Sequence, residues 1–181
     1  KDTMESFFNI EISHYAAVDF EGFIKIVDKL GGIKVDVQRR MKYYDPTDGT
    51  NINLQPGVQL LDGKNALDYA RFRMSDNGRH ASDFDRMERQ QEVIREIADN
   101  ASGLTSLFKI FAMMEILGDH VKTDFKEEEI RKLGILFNNF SSSSITSIEV
   151  KGTNQRISMH GYNLWFYVVS DEEKRRIRTI I

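Results

Sequence analysis

A chain of 181 residues with 40% hydrophobic content is long enough for one domain with a full core. Its 25 Lys+Arg against 28 Asp+Glu leave a formal charge of −3, the wrong sign for a protein whose main partner is a nucleic-acid backbone, so no nucleic-acid partner is expected. The absence of cysteine excludes disulfides, thiol nucleophiles and cysteine metal sites, and no stretch approaches the roughly 20 apolar residues of a membrane span.

Met4 to Ile10 reads as a short helix and His14 to Val18 as a strand. Asp19 is placed to cap a helix through Leu30, with Phe20, Phe23, Ile24, Val27 and Leu30 as its apolar stripe and Gly31-Gly32 ending it. Ile33, Val35 and Val37 alternate with Lys34, Asp36 and Gln38, the pattern of a half-buried strand. Strand, helix and strand at this length predict a parallel crossover unit and an α/β class. His14 reads as a strand-edge polar residue rather than a metal ligand, since no second ligand lies at useful spacing.

Residues 41–53, rich in Tyr, Asp, Pro, Gly and Asn, read as a loop in which Asp45 and Asp48 build turns. Leu54 to Leu60 is extended around Pro56-Gly57, and Asp62 is an N-cap for a helix over Lys64 to Arg71. A polar stretch, Ser75 to Ser82, leads to a helix that starts at Ser82 or Asp83 and runs toward Asn100, with Met87, Ile94, Ala98 and Ala101 facing inward.

Arg71, Arg73, Arg79, Arg86 and Arg89 thus fall on two helical pieces and the loop between them. A guanidinium is always charged and its planar fork matches carboxylate or phosphate oxygens, so convergent arginines predict a phosphate or pyrophosphate cradle. The N-terminal turn holding Arg86, Arg89 and Gln90 also has free backbone N–H groups that favour an anion. Interspersed Asp76, Asp83, Asp85, Glu88 and Glu92 equally fit a solvated mixed-charge face, and the charge pattern alone leaves both readings open.

The run Leu61-Asp62-Gly63, Ala66-Leu67, Tyr69-Ala70-Arg71-Phe72-Arg73, then Asp83-Phe84-Asp85-Arg86 and Arg89-Gln90-Gln91, resembles the signature of the LytR-CpsA-Psr family of bacterial cell-wall proteins. So do Val18-Asp19-Phe20-Glu21-Gly22-Phe23 and Ile26 to Ile33. The resemblance runs from the N-terminus to beyond Gln91 and thins toward the C-terminus. It implies one domain over residues 1–181, a partial three-layer α-β-α sandwich comprising about the C-terminal two-thirds of the family domain. It implies a phosphotransferase on the extracellular face of the bacterial cell membrane, moving an anionic glycopolymer of teichoic acid type from a polyprenyl-pyrophosphate carrier to peptidoglycan.

In that picture Arg71, Arg73, Arg86, Arg89 and Gln90 bind the pyrophosphate, and Asp83 acts with Arg86 in catalysis, orienting an arginine or serving as base. The resemblance also implies magnesium, held by aspartates on strands that precede the region matched here, and a membrane anchor before them. Neither precedes Tyr15, so the chain reads as an excised piece without metal ligands of its own, and a homodimer through its exposed sheet edge is expected. Asp85 stands where relatives often carry glycine. A non-catalytic polyprenyl-phosphate or polyanion-binding module is the alternative, and a transcriptional regulator, the family's older label, is a third.

Leu104 to Leu117 is apolar almost all round, which predicts a buried helix or the wall of an apolar cavity. The resemblance assigns Leu107, Phe108, Phe111 and Met114 to the lipid tail. Asp124 is placed to cap a helix over Lys126 to Phe140, Ser141 to Ser144 form a linker, and Ser144 to Val150 reads as a strand. Thr153 to Val169 is ambiguous, and Ser170-Asp171-Glu172-Glu173 opens a basic final helix whose arginines suit the helix dipole rather than a ligand.

Overall fold

The computed structural model describes residues 1–73, 83–102, 118–126, 128–130, 132 and 142–181. Where the sequence is read as a single domain, the chain groups into two compact units, Ala16–Ile145 and Lys1–Tyr15 with Thr146–Ile181.

The larger unit begins with β1 (Ala16–Val18) and α2 (Phe20–Leu30), α1 (Asp2–Phe8) belonging to the other unit. Asp19 caps α2 as its sequence position predicts: its carboxylate accepts from the Gly22 N–H at 2.7 Å, and Gly31 closes the helix in the left-handed region. Val27 is fully buried, but Phe20 is exposed, because the first turn of α2 lies at the edge of the core.

Strand β2 (Ile33–Val37) buries Ile33, Val35 and Val37 and pairs antiparallel with β5 (Gly57–Leu61). Strand β1 pairs antiparallel with β6 (Val121–Thr123), which the sequence did not announce. The predicted parallel crossover between β1 and β2 is therefore corrected. All four ladders among the described residues are antiparallel and two-stranded.

The predicted loop over 41–53 is a hairpin, β3 (Met41–Asp45) with β4 (Thr50–Leu54). Its polar residues mask an alternation in which Met41, Ile52 and Leu54 point to the core. Asp45 and Asp48 do build the turn: Asp45 accepts from Thr47 N–H and Asp48 from Thr50 N–H, each at 2.9 Å.

Helix α3 (Gly63–Arg71) starts at Asp62, whose carboxylate accepts from Asn65 N–H at 2.8 Å. Gly63 lies so close to α2 that a Cβ there would meet the Ile24 carbonyl oxygen at 2.2 Å, and its N–H donates to Asp28 at 2.7 Å. A side chain at this position would separate the two helices. Helix α4 (Asp83–Ser102) turns Val93 and Ala98 inward, with Ile97 against the core. Met87 and Ile94 are exposed, so the inward stripe is rotated from the predicted one, and Arg89, expected at the pyrophosphate, is buried instead. One core joins α2, α3, α4 and strands β2 to β5, and includes Tyr69 and Phe72.

The smaller unit contains α1 (Asp2–Phe8), the hairpin of β7 (Thr153–Met159) and β8 (Tyr162–Val168), and α5 (Asp171–Ile180). The ambiguous stretch is thus a hairpin, turned by His160 and Gly161, both with positive φ as a two-residue turn requires. Residues 145–150 form no strand, contrary to expectation, and Ser142–Ser144 is a short 3-10 turn. Ser170 caps α5 by accepting from Glu173 N–H, and Glu173 pairs with Arg176 at 2.6 Å and accepts from Lys151 N–H at 2.8 Å. Those donors, Arg176 first, hold the Glu173 carboxyl at about 2.

Candidate functional site: an arginine and aspartate cluster at the junction of α3 and α4

Helix α3 ends at Arg71 without a glycine cap, and α4 supplies what the end lacks. The Arg89 guanidinium donates through Nε to the Tyr69 carbonyl at 3.0 Å and through Nη2 to the Phe72 carbonyl. Gln90 donates to the Ala70 carbonyl at 3.4 Å, while Phe72 N–H closes on the Asp68 carbonyl. The last carbonyls of α3, which have no partner inside the helix, are thereby satisfied by side chains from the next one. Arg89 is only 7% exposed, and burial lowers the affinity of its guanidinium for the proton. Its charge is balanced by carbonyl dipoles and by the rings of Tyr69 and Phe72, each 5.9 Å from its Cζ.

This junction fixes the residues that reach solvent beside it. One carboxylate oxygen of Asp83 accepts from Arg86 Nη2 at 3.0 Å and from Arg73 Nη2 at 3.3 Å. Asp83 and Arg73 are about two-thirds exposed, Arg86 less so, and each guanidinium keeps further N–H groups for another acceptor. Two guanidiniums against one carboxylate leave a local excess of positive charge at the N-terminus of a 20-residue helix, where the dipole adds to it.

Arg71 takes another direction. Its guanidinium stacks 4.6 Å over the Phe20 ring on α2. Beside Phe20, the N-cap Asp19 turns its second carboxylate oxygen to His120 Nδ1 at 3.1 Å. Lys25 Nζ lies 2.7 Å from His120 Nε2. The backbone N–H of Gly22, and after it His120, keeps the Asp19 carboxyl below its usual range.

Of the six residues expected to handle pyrophosphate, the structure joins Arg73, Asp83 and Arg86 in one cluster. It aligns Arg71 on α2 and engages Arg89 and Gln90 with backbone carbonyls. Asp85 is paired with Arg39 at 3.4 Å, a contact between α4 and the β2 to β3 connection that no spacing in the sequence announces. The link from Asp19 to His120 spans 101 positions and is equally invisible to local pattern. Leu107, Phe108, Phe111 and Met114, the residues expected to meet a lipid, lie outside the described residues, as does Arg79.

Magnesium was expected from the resemblance. Among the described residues no three His, Asp or Glu side chains are grouped as a metal requires. The residues described here do not fit the ion, and no chemical step is routed through it. Among the described residues no helix is long and apolar enough to cross a membrane.

The sequence matches the LytR_cpsA_psr family over residues 1–180. It is 33% identical over 181 residues to a protein of Oceanobacillus iheyensis named polyisoprenyl-teichoic acid--peptidoglycan teichoic acid transferase TagU, covering 99% of this chain and 52% of that one. It is 30% identical over 154 residues to the Bacillus subtilis transferase named TagV, covering 84% of this chain and 39% of that one. The crystal structure of B. subtilis TagV superposes with a TM-score of 0.77 at 27% identity, over 98% of this chain and 66% of that one. The chain thus spans about half the length of the first of these curated relatives and less of the second. These matches establish the α/β fold and the resemblance carried by Leu61 to Gln91: the chain belongs to the LytR_cpsA_psr family.

Proposed function

We propose that this chain is the pyrophosphate-handling part of a phosphotransferase that attaches a polyprenyl-pyrophosphate-linked anionic glycopolymer, of teichoic acid type, to peptidoglycan at the extracellular face of the cell membrane. The observation that carries it is the single Asp83 oxygen shared by Arg73 and Arg86. Relatives named as teichoic acid transferases support the substrate class.

Displacement at phosphorus needs little covalent chemistry from the protein and much positioning and charge stabilisation. Arg73 and Arg86, held at a set separation by Asp83, offer their free N–H groups to adjacent pyrophosphate oxygens. Each charge-assisted hydrogen bond contributes roughly 1.5 to 3 kcal/mol. Arg71, aligned by Phe20, extends the same positive field. Asp83 already accepts from two cations, which favours an orienting role over that of a base. Arg89 and Gln90 act beneath, by fixing the end of α3. Magnesium and a membrane anchor belong to this proposal as parts that the family would bring, and dimerisation through a sheet edge is a further part of it.

The test has two readouts. Titration of the chain with a short-chain prenyl pyrophosphate should show binding that weakens roughly tenfold or more in Arg86→Ala. Release of polyprenyl monophosphate from a lipid-pyrophosphate-linked saccharide, with an acceptor glycan hydroxyl present and with and without magnesium, then separates a transferase from a module that only binds. Unchanged affinity in both Arg73→Ala and Arg86→Ala would remove the site assignment.

A further inference from the structure

A cleft of about 340 Å³ opens on the other flank of α4, away from Asp83 and Arg86. Helical spacing separates the two: positions 83, 86 and 90 share one side of α4, while 85, 88 and 92 share the other, with the buried Arg89 between them. The cleft floor is Met41, the Tyr69 ring and Arg89, all buried. Its rim carries Gln38 and Arg39 from the β2 to β3 connection, faced by Asp85, Glu88 and Glu92 of α4.

The chemistry of these walls selects a ligand. Three carboxylates against two guanidiniums, one of them already engaged with carbonyls, make the cleft unfavourable for a phosphate. A metal ion is also poorly served, since Asp85 is paired with Arg39 and Glu92 accepts from the Tyr69 hydroxyl at 2.6 Å. What remains is a small cavity floored by Met41, the Tyr69 ring and the Arg89 stem, with planar donors on one side of the rim facing carboxylate acceptors on the other. A pyranose ring matches both parts, because it has a face of C–H groups and an edge of hydroxyls, each able to donate to a carboxylate and accept from a guanidinium or amide. The Arg39 to Asp85 pair at the mouth is half-exposed at both ends, so its opening costs little.

We infer that this cleft is a saccharide subsite for one uncharged sugar ring of a glycan, separate from the arginine and aspartate cluster on the opposite flank of α4. Buried Arg89 serves both sides: its guanidinium fixes the α3 end that carries Arg73, and its stem and ring contacts form the cleft floor. The inference rests on the transferase reading only for the source of the sugar, which is either the acceptor glycan strand or the first residue of the pyrophosphate-linked donor.

Isothermal titration of the whole chain with N-acetylglucosamine tetramer, uridine diphosphate N-acetylglucosamine and inorganic pyrophosphate tests it. The expected result is saccharide binding that falls roughly tenfold in Glu88→Ala and in Arg39→Ala, while pyrophosphate binding is unchanged. A fall confined to the free tetramer assigns the cleft to an acceptor strand; a fall confined to the sugar nucleotide assigns it to the donor sugar. Side-chain NMR signals of Gln38 and Arg39 shifting on tetramer or sugar-nucleotide addition, and not on pyrophosphate addition, locate the sugar without any substitution. No saccharide binding, or binding lost only in Arg86→Ala, overturns the inference. Pyrophosphate binding in the same series reports separately on the cluster, so the two readings fail independently.

Discussion

The buried junction of α3 with α4 and the exposed rim beside it use the same residue type for opposite purposes. Arg89 and Arg86 are one turn apart on α4, yet Arg89 is enclosed and bonded to carbonyls, whereas Arg86 shares a carboxylate with Arg73 and keeps donors toward solvent. An arginine whose fork is spent on backbone oxygens stabilises the fold. One whose fork is partly open can bind a ligand. The difference lies in helical phase relative to the core, and it teaches that a run of arginines in a signature contains buried scaffold and solvent-facing donors together.

Removing the buried guanidinium should break the comparison most severely. Arg89→Ala leaves the Tyr69 and Phe72 carbonyls without a partner and a cavity under the cleft, for a loss of about 3 kcal/mol. Chemical denaturation of the chain measures it, and Arg89→Lys should recover little, because an ammonium cannot span both carbonyls as the planar fork does. A stability equal to that of the parent would show that the junction is held by packing alone.

At the rim the effect should move from stability to binding. Arg86→Ala is expected to cost about 2 kcal/mol of pyrophosphate affinity while shifting unfolding by less than about 0.5 kcal/mol. The affinity should also fall as ionic strength rises from about 0.05 to 0.15 M, since the cluster is exposed. If Arg86→Ala instead unfolds the chain, the rim is structural and the contrast with Arg89 disappears.

Asp62→Ala sharpens the same comparison from the other end of α3. It removes the N-cap and should cost about 1 kcal/mol of stability, with the arginine cluster left in place. Thermal unfolding is the readout.

In the smaller unit Arg176 pairs with the Glu173 carboxylate and donates to the Glu149 carbonyl at 2.7 Å, and the ion pair should respond to acid. Arg176, then Lys151 N–H, lowers the folded-state pKa of Glu173 to about 2 from an ordinary 4.5. A depressed carboxylate contributes stability that is fully present above the unfolded value. It is lost as pH falls from about 4.5 toward 2. Trp165, the only tryptophan, lies in β8 of the same unit, so its fluorescence should report the transition at a higher denaturant concentration at pH 6 than at pH 3. Glu173→Gln should flatten that difference.

The same contrasts explain which parts of the chain could be read from its residues alone. Asp19, Asp62 and Ser170 cap helices where the sequence places them, and Ile33, Val35 and Val37 alternate as expected, because a cap or a strand face is decided by neighbours within a few positions. The hairpin over Met41 to Leu54 was hidden because its outward positions are filled by turn-favouring polar residues. The β7 to β8 hairpin was hidden because both of its strands are largely exposed and lack a clean buried face. The signature from Leu61 to Gln91 pointed to the family to which the chain belongs and to a run of arginines, but not to how those arginines divide.

That division was decided by tertiary structure. Nothing local distinguishes Arg86 from Arg89; the rotation of α4 against the core turns one toward the open carbonyls of α3 and leaves the other beside Asp83. Likewise, β1 finds its partner in β6, about 100 positions away, and His120 reaches Asp19 across the same gap. Sequence determined the helix caps, the alternation of β2 and the run of arginines through interactions between near neighbours. Which guanidiniums are free to meet a ligand depended on burial and long-range hydrogen bonds, which exist only once the helices have packed.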